Sequence, residues 1–339
     1  MNSIIGKDNL TIDDLELLLS RQAIPYLEEM AQRAHELTLQ YFGRTIQMYT
    51  PLYLSDYCEN QCVYCGFNAT NGFTRKKLTI EGVESEAKAI AALGFKHILI
   101  LTGESRRMSP VEYIEECVLI LKRYFASVSV EVYALSEEEY RRLAEAGVEG
   151  VTIYQETYNR ALYDKLHIKG SKKDYDFRFD APARAARAGM YAVNIGALLG
   201  LDDWRRELLA VGNHAWQLRQ DYPETEISVS FPRIRKNLSG FSPECIVSDI
   251  DIVQAVTALR IFMPRCGITI STRENSTFRD NILPLGVTRM SAQSLTCVGG
   301  HAQYSSDAGQ FTISDTRSLE EVKASIRAKG YQPVMKNWQ

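Results

Sequence analysis

Three cysteines fall within eight positions in Cys58-Glu-Asn-Gln-Cys62-Val-Tyr-Cys65-Gly-Phe67. Thiolates are soft donors that select iron–sulfur centres or zinc over harder ions. Three of them on one short loop can hold three corners of a cubane cluster and leave the fourth iron without a protein ligand. An open coordination position marks a metal centre that does chemistry rather than one that only staples a fold. Structural zinc is the competing reading, but it usually needs a second ligand pair such as another C-x2-C or H-x3-H, and none follows downstream. Chance clustering is the blander alternative, and the aromatic Tyr64 just before the last cysteine makes it the weaker account. The remaining cysteines, Cys117, Cys245, Cys266 and Cys297, are scattered singly and read as small apolar fillers.

Strands must bring that loop to a working surface. A strand-like run over 46–54 leads into the cysteines, and strand patterns follow at 97–101, 128–134, 150–154, 191–198, 227–231, 268–272 and, less clearly, 286–290. Helical periodicity fills most of the gaps, over 79–93, 112–125, 175–188, 207–220, 250–262 and 319–328, with a capping box at Ser136-Glu-Glu-Glu139 opening another. Eight strands separated by helices argue for a parallel sheet closed into a (β/α)8 TIM-type barrel. The loop after the first strand then lies where such barrels build their sites. Residues 1–45 form a helical lead-in, with a Thr11-capped helix and a second over 25–41, and residues 46–339 form the barrel domain.

Composition bounds the rest. A hydrophobic share of 45% and a charged share of 24% suit a soluble enzyme with a sizeable core, and a net charge of −3 gives no nucleic-acid footprint. Arg75-Lys76-Lys77 reads as a solvated helix lead-in. No apolar run approaches the roughly 18 residues of a membrane span, and Met1–Leu19 lacks the pattern of a signal peptide, so the expected location is cytoplasmic. The five histidines show no ligand spacing. His97 and His214 read as structural, His35 as exposed on its helix, and His167 and His301 as loop residues near the barrel mouth.

The motif C-x3-C-x-aromatic-C resembles the signature of the radical S-adenosylmethionine (SAM) enzymes. The resemblance implies a 4Fe-4S cluster on Cys58, Cys62 and Cys65, whose open iron chelates SAM. Tyr64 fills the aromatic place and Phe67 closes the motif. Thr102-Gly103-Glu104 resembles the Gly-Gly-Glu-like segment that holds the methionyl amino group, with Thr102 departing from the pattern. Glu156 resembles the acidic residue on the SAM ribose, Arg178 the arginine on the SAM carboxylate, and Gly196 opens a segment similar to the one that meets adenine. A surface ion pair is the alternative for Glu156 and Arg178.

The match extends further. Pro51-Leu-Tyr-Leu-Ser-Asp-Tyr-Cys58, Leu101-Thr-Gly-Glu104, Tyr154-Gln-Glu-Thr-Tyr158, Ser228-Val-Ser-Phe-Pro-Arg233, Ser271-Thr-Arg-Glu274 and the stretch 331–338 are similar to the 2-iminoacetate synthase family, the tyrosine lyases of thiamine biosynthesis. That resemblance implies Cα–Cβ cleavage of L-tyrosine to p-cresol and 2-iminoacetate, with a thiazole synthase as receiving partner and a flavodoxin- or ferredoxin-like electron donor. A free amino acid needs a cation for its carboxylate, which a bidentate arginine suits best. Arg273 is the expected group, with Tyr53 and Ser291 as companions; a salt bridge from Arg273 to Glu274 or Asp280 is the alternative. Arg233, Arg235 and Arg279 are candidates for the phenol. A tryptophan lyase, a hydrogenase-maturation tyrosine lyase and a non-catalytic metal-bound scaffold remain as other readings.

Overall fold

In the computed structural model, which describes residues 1–302 and 309–336, nine strands form one sheet. They are β1 (Thr45–Ser55), β2 (His97–Thr102), β3 (Ser127–Glu131), β4 (Gly150–Glu156), β5 (Ala192–Ala197), β6 (Glu226–Ser230), β7 (Gly267–Ile270), β8 (Arg289–Ser291) and β9 (Gln332–Val334). All pairings are parallel, and β1 pairs with both β2 and β8, which closes the first eight into the expected barrel. β9 lies along the base of β1, with Thr45 opposite Gln332. It was not anticipated, because a three-residue strand carries too little pattern to read.

The strands are buried on both faces, as a barrel inside a ring of helices requires, so they read as continuous apolar runs such as Ile98–Leu101. Helices start where side chains cap them: Thr79, Ser136, Ser248 and Ser318 each accept a backbone N–H of the first turn. Short helices Arg160–Leu166 and Ser276–Ile282 escaped the periodicity, although Asn159 and Asn275 cap them. The helix expected over 175–188 is two, Tyr175–Phe179 and Ala181–Arg187. Pro182 lies in the first turn of the second, where its missing N–H costs nothing, and it cannot continue the first.

The lead-in is not a separate body. Leu15, Leu18 and Leu19 of helix Ile12–Leu19 belong to the same buried cluster as the barrel. A β-carbon at Gly212, on helix Trp204–Asp221, would fall 2.4 Å from Leu15, so the helices touch at van der Waals distance there. No helix among the described residues is long and apolar enough to cross a membrane.

Three strands end two or more residues away from where their patterns suggest. β3 stops at Glu131 rather than running to residue 134, β7 stops at Ile270 rather than Thr272, and β4 runs on to Glu156. Strand pairing ceases where the chain turns over the barrel rim, and these ends carry the side chains that line the mouth.

Candidate active site

Cys58, Cys62 and Cys65 all border one cavity of about 590 Å3 at the mouth. The loop that carries them is held from behind. Asn68 Nδ2 donates to the carbonyl of Cys62 (3.0 Å) and Asn71 Nδ2 to that of Gly66 (2.8 Å). Arg75 donates to the carbonyls of Asp56, Phe67 and Asn68 at 2.6–2.8 Å and stacks on Phe73, so it is a clamp rather than the solvated residue its sequence suggested. On the other side the loop pairs with the chain after Leu166: Cys62 bridges His167, and Val63 N–H donates to Leu166 at 3.1 Å. Tyr64 turns away from the cavity and meets His167 Nε2 through its hydroxyl at 2.7 Å. His167 is thus fully buried behind the loop, not facing the mouth, and burial pulls its pKa down to about 3.

Two glycines let the loop seat. A β-carbon at Gly103 would fall 2.3 Å from the Tyr57 carbonyl oxygen, and one at Gly66 would fall 2.2 Å from that of Gln310. These close approaches bind the cysteine loop to β2 on one side and to the 309–311 segment on the other.

The same cavity is bordered by Thr102, Gly103, Glu104, Glu156, Arg178 and Phe67, and by Lys172, which the sequence did not single out. The charges form a buried quartet. Arg178 Nη1 donates to Glu104 at 2.9 Å and its Nε to the Tyr154 carbonyl at 2.7 Å, while Lys172 Nζ reaches Glu156 at 2.5 Å. Burial pushes the Glu104 carboxyl up, but Arg178 and Lys172 outweigh it and hold Glu104 below the usual carboxylate range. Burial would likewise discharge Lys172, and the facing Glu156 and Glu104 keep it charged. Glu156 and Arg178 do pair, at 3.8 Å, but not on the surface, since their side chains are 11% and 6% exposed. Glu156 has φ +70, a left-handed conformation for a non-glycine residue, at a bulge where β4 slips against β5. The turn beyond it is pinned by Glu207, which accepts from Thr157 Oγ1 (2.5 Å) and Tyr158 N (2.8 Å). Gly196 is not among the residues bordering the cavity; its β-carbon would strike the Ser230 carbonyl oxygen at 1.7 Å, so the glycine serves strand packing.

The donor set suits a cluster. Soft thiols are the only metal-binding groups of the loop on the cavity, and burial pushes all three up in pKa (Cys58 to about 11), so binding a metal centre must expel their protons. Ligands to different irons need not converge on one point, and among the described residues no three His, Cys, Asp or Glu side chains gather as one ion would require. Thr102 Oγ1 is buried without a hydrogen-bond partner, a polar atom left for a ligand.

A second cavity of about 780 Å3 lies beside the first, and Tyr53, Leu101, Glu131, Tyr154 and Gln310 border both. Arg273 and Ser291 are in it. Arg273 stacks on Phe311, its guanidinium carbon 3.4 Å from the ring centre, and no carboxylate among the described residues pairs with it. The two salt bridges weighed against it are absent there: Glu274 binds Arg233 and Arg235, and Asp280 binds Arg317. Tyr53 donates to Gln310 Oε1 at 2.7 Å, and Ser291 Oγ accepts from Thr272 N at 3.1 Å. Arg233, Arg235 and Arg279 do not border the cavity; Arg279 is fully buried against Asp315 and the Ser291 carbonyl, so none of the three is placed to meet a phenol.

The remaining singled-out residues are mostly structural. His97 and His214 are buried against Ser129 and Tyr158. His35 is half-buried rather than exposed, its Nδ1 2.9 Å from the Pro284 carbonyl. His301 donates its backbone N–H to Glu86. Cys117, Cys266 and Cys297 are buried, whereas Cys245 is only half-buried.

Comparison with known proteins agrees with this geometry. Residues 52–210 match the model of the Radical SAM superfamily, and residues 230–332 match the Biotin and Thiamin Synthesis associated domain. The chain is 41% identical over 335 residues to 2-iminoacetate synthase of Escherichia coli (strain K12), covering 98% of this chain and 89% of that protein. It is 26% identical over 267 residues to 3-methylornithine synthase of Methanosarcina barkeri, covering 78% and 73%. Among solved structures, the FeFe-hydrogenase maturase HydG from Carboxydothermus hydrogenoformans superposes with a TM-score of 0.91 at 31% identity, over 99% of this chain and 78% of that one. With the fold, the cysteine cavity and this likeness over nearly its whole length, the chain belongs to the 2-iminoacetate synthase family of radical SAM enzymes.

Proposed function

We propose that this enzyme cleaves the Cα–Cβ bond of L-tyrosine to give p-cresol and 2-iminoacetate. The observation that carries the reading is the shared wall: a cavity with three thiols and four buried charges abuts one whose only guanidinium among the described residues, Arg273, has no carboxylate partner. In this reading Cys58, Cys62 and Cys65 hold a 4Fe-4S cluster. Thr102, Gly103, Glu104, Glu156 and Arg178 hold SAM, with Lys172 balancing the two acids. Bound there, the pair supplies a 5′-deoxyadenosyl radical.

The chain's own part is placement and exclusion of water. Arg273 takes the tyrosine carboxylate through two parallel hydrogen bonds. Tyr53 and Ser291 fix the amino-acid backbone, Tyr53 through a hydroxyl already oriented by Gln310. Ser294 Oγ and Thr269 Oγ1, buried in the second cavity without partners, are left for the rest of the substrate. Because an imine hydrolyses in water, the product is passed to a thiazole synthase for thiamine biosynthesis, and electrons come from a flavodoxin- or ferredoxin-like donor.

The test is product analysis. Anaerobically reconstituted enzyme with SAM, a strong reductant and tyrosine is expected to release p-cresol, and none with tryptophan. Absence of p-cresol from tyrosine in enzyme that carries an intact cluster overturns the reading.

A further inference from the structure

The wall between the two cavities holds a carboxylate for which the proposed reaction has so far given no task. Glu131 ends β3, beside Leu101 of β2, and borders both cavities. Among the described residues it has no hydrogen bond or salt bridge, although it lies near a second carboxylate, Glu156. The nearby cations are committed elsewhere: Lys172 to Glu156 at 2.5 Å and Arg178 to Glu104 at 2.9 Å. Among the described residues, only Arg273, stacked on Phe311, shares the second cavity with it as a cation.

We propose that Glu131 is the seat of the substrate's α-ammonium group, within the same cavity as the Arg273 seat for its carboxylate. The inference rests on the amino-acid substrate proposed above. An α-amino acid carries opposite charges on groups one carbon apart, so an open guanidinium and an open carboxylate on one cavity complement the zwitterion. The arrangement puts the amine on the wall next to the cysteine cavity and sends the side chain away from it. Burial and the neighbouring Glu156 push the Glu131 carboxyl up to about 7, so it can also accept a proton from the bound ammonium. In that transfer one N–H bond breaks, one O–H bond forms and no electron moves, leaving a neutral amine facing the cofactor cavity.

Equilibrium dialysis of cluster-loaded enzyme with SAM, without reductant, tests this. The probes are tyrosine and 3-(4-hydroxyphenyl)propanoate, which lacks the amine. Glu131→Gln is expected to weaken tyrosine about tenfold or more while leaving the desamino acid within about twofold, and Glu131→Asp to recover part of the loss. An unchanged cluster spectrum and SAM affinity accompany that result. Tyrosine bound by Glu131→Gln as tightly as by wild type, or both probes weakened alike, overturns the inference and leaves the tyrosine reading standing. Loss of SAM affinity in that variant assigns Glu131 to the cofactor side and also overturns it. Wild-type enzyme that fails to bind tyrosine overturns the substrate reading, and this inference with it.

Discussion

Arg233 grips Glu274 with two hydrogen bonds, from Nε to Oε1 at 3.0 Å and from Nη2 to Oε2. That grip removes the one carboxylate adjacent to Arg273 in sequence, and Arg235 adds a third contact at 3.0 Å. Arg273 is thereby left buried with no carboxylate in contact among the described residues, at a cost that a carboxylate ligand can recover. Arg273→Lys keeps the charge and loses the planar fork. It is expected to raise the tyrosine KM about tenfold or more while SAM affinity stays unchanged. An unaltered KM in steady-state p-cresol assays removes Arg273 from the substrate site.

The cysteine loop predicts a clean separation of folding from chemistry. Its backbone is held by Asn68, Asn71 and Arg75 rather than by the thiols. Cys62→Ala is therefore expected to keep the circular dichroism and melting behaviour of the metal-free protein. It should lose the visible absorbance of the cluster and all SAM cleavage. Turnover in that variant would refute the site.

Glu207 gives a third prediction. Its carboxylate satisfies two buried donors, Thr157 Oγ1 and Tyr158 N, in the turn that follows the left-handed Glu156. Glu207→Ala strands both and is expected to cost roughly 2 kcal/mol of stability, measured by chemical denaturation. It should also weaken SAM binding, because Glu156 loses the turn that keeps its strained backbone in place. SAM affinity equal to wild type would show that Glu156 needs no such support.

The buried histidines set the response to acid. Burial pulls His97 down from 6.5 to about 3, so between those values the folded chain binds fewer protons at this site than the unfolded one. The sign follows: the stability from holding His97 neutral is fully present above pH 6.5 and is lost as pH falls towards 3. His167, at about 3, and His214, at about 4, act in the same direction. Urea midpoints measured from pH 7.5 down to 5 should fall for the wild type and fall less steeply for His97→Asn. Equal slopes would mean that His97 is not held neutral by the fold.

The parts that sequence reveals are those whose logic is local. Three thiols on one short loop are close in space whatever the rest of the chain does, so Cys58, Cys62 and Cys65 are legible without a structure. The strand–helix alternation is legible because every barrel strand is buried on both faces and punctuated by caps. Glu131 and Lys172 were missed for the opposite reason. Each is an ordinary charged residue near the end of an element, and only closure of the barrel brings Glu131 to the shared wall and Lys172 to the cysteine cavity. Arg75 reads as solvated because arginine usually is, and Arg279 reads as a candidate for the phenol because its sequence does not show the partner that buries it. Here backbone carbonyls receive the first, and Asp315 neutralises the second inside the core. Gly196 had the right residue type for a different reason, a neighbouring strand at close range.

The common boundary of the two cavities also limits how the enzyme could be re-engineered. Carving room for a bulkier amino acid out of Tyr53, Tyr154 or Gln310 would breach the partition and disturb the chamber that houses the thiols. The far side, around Phe231, Pro232 and Ile252, touches only the second chamber. Altered side-chain preference is therefore reachable from that side, by trimming residues that do not border the thiol chamber.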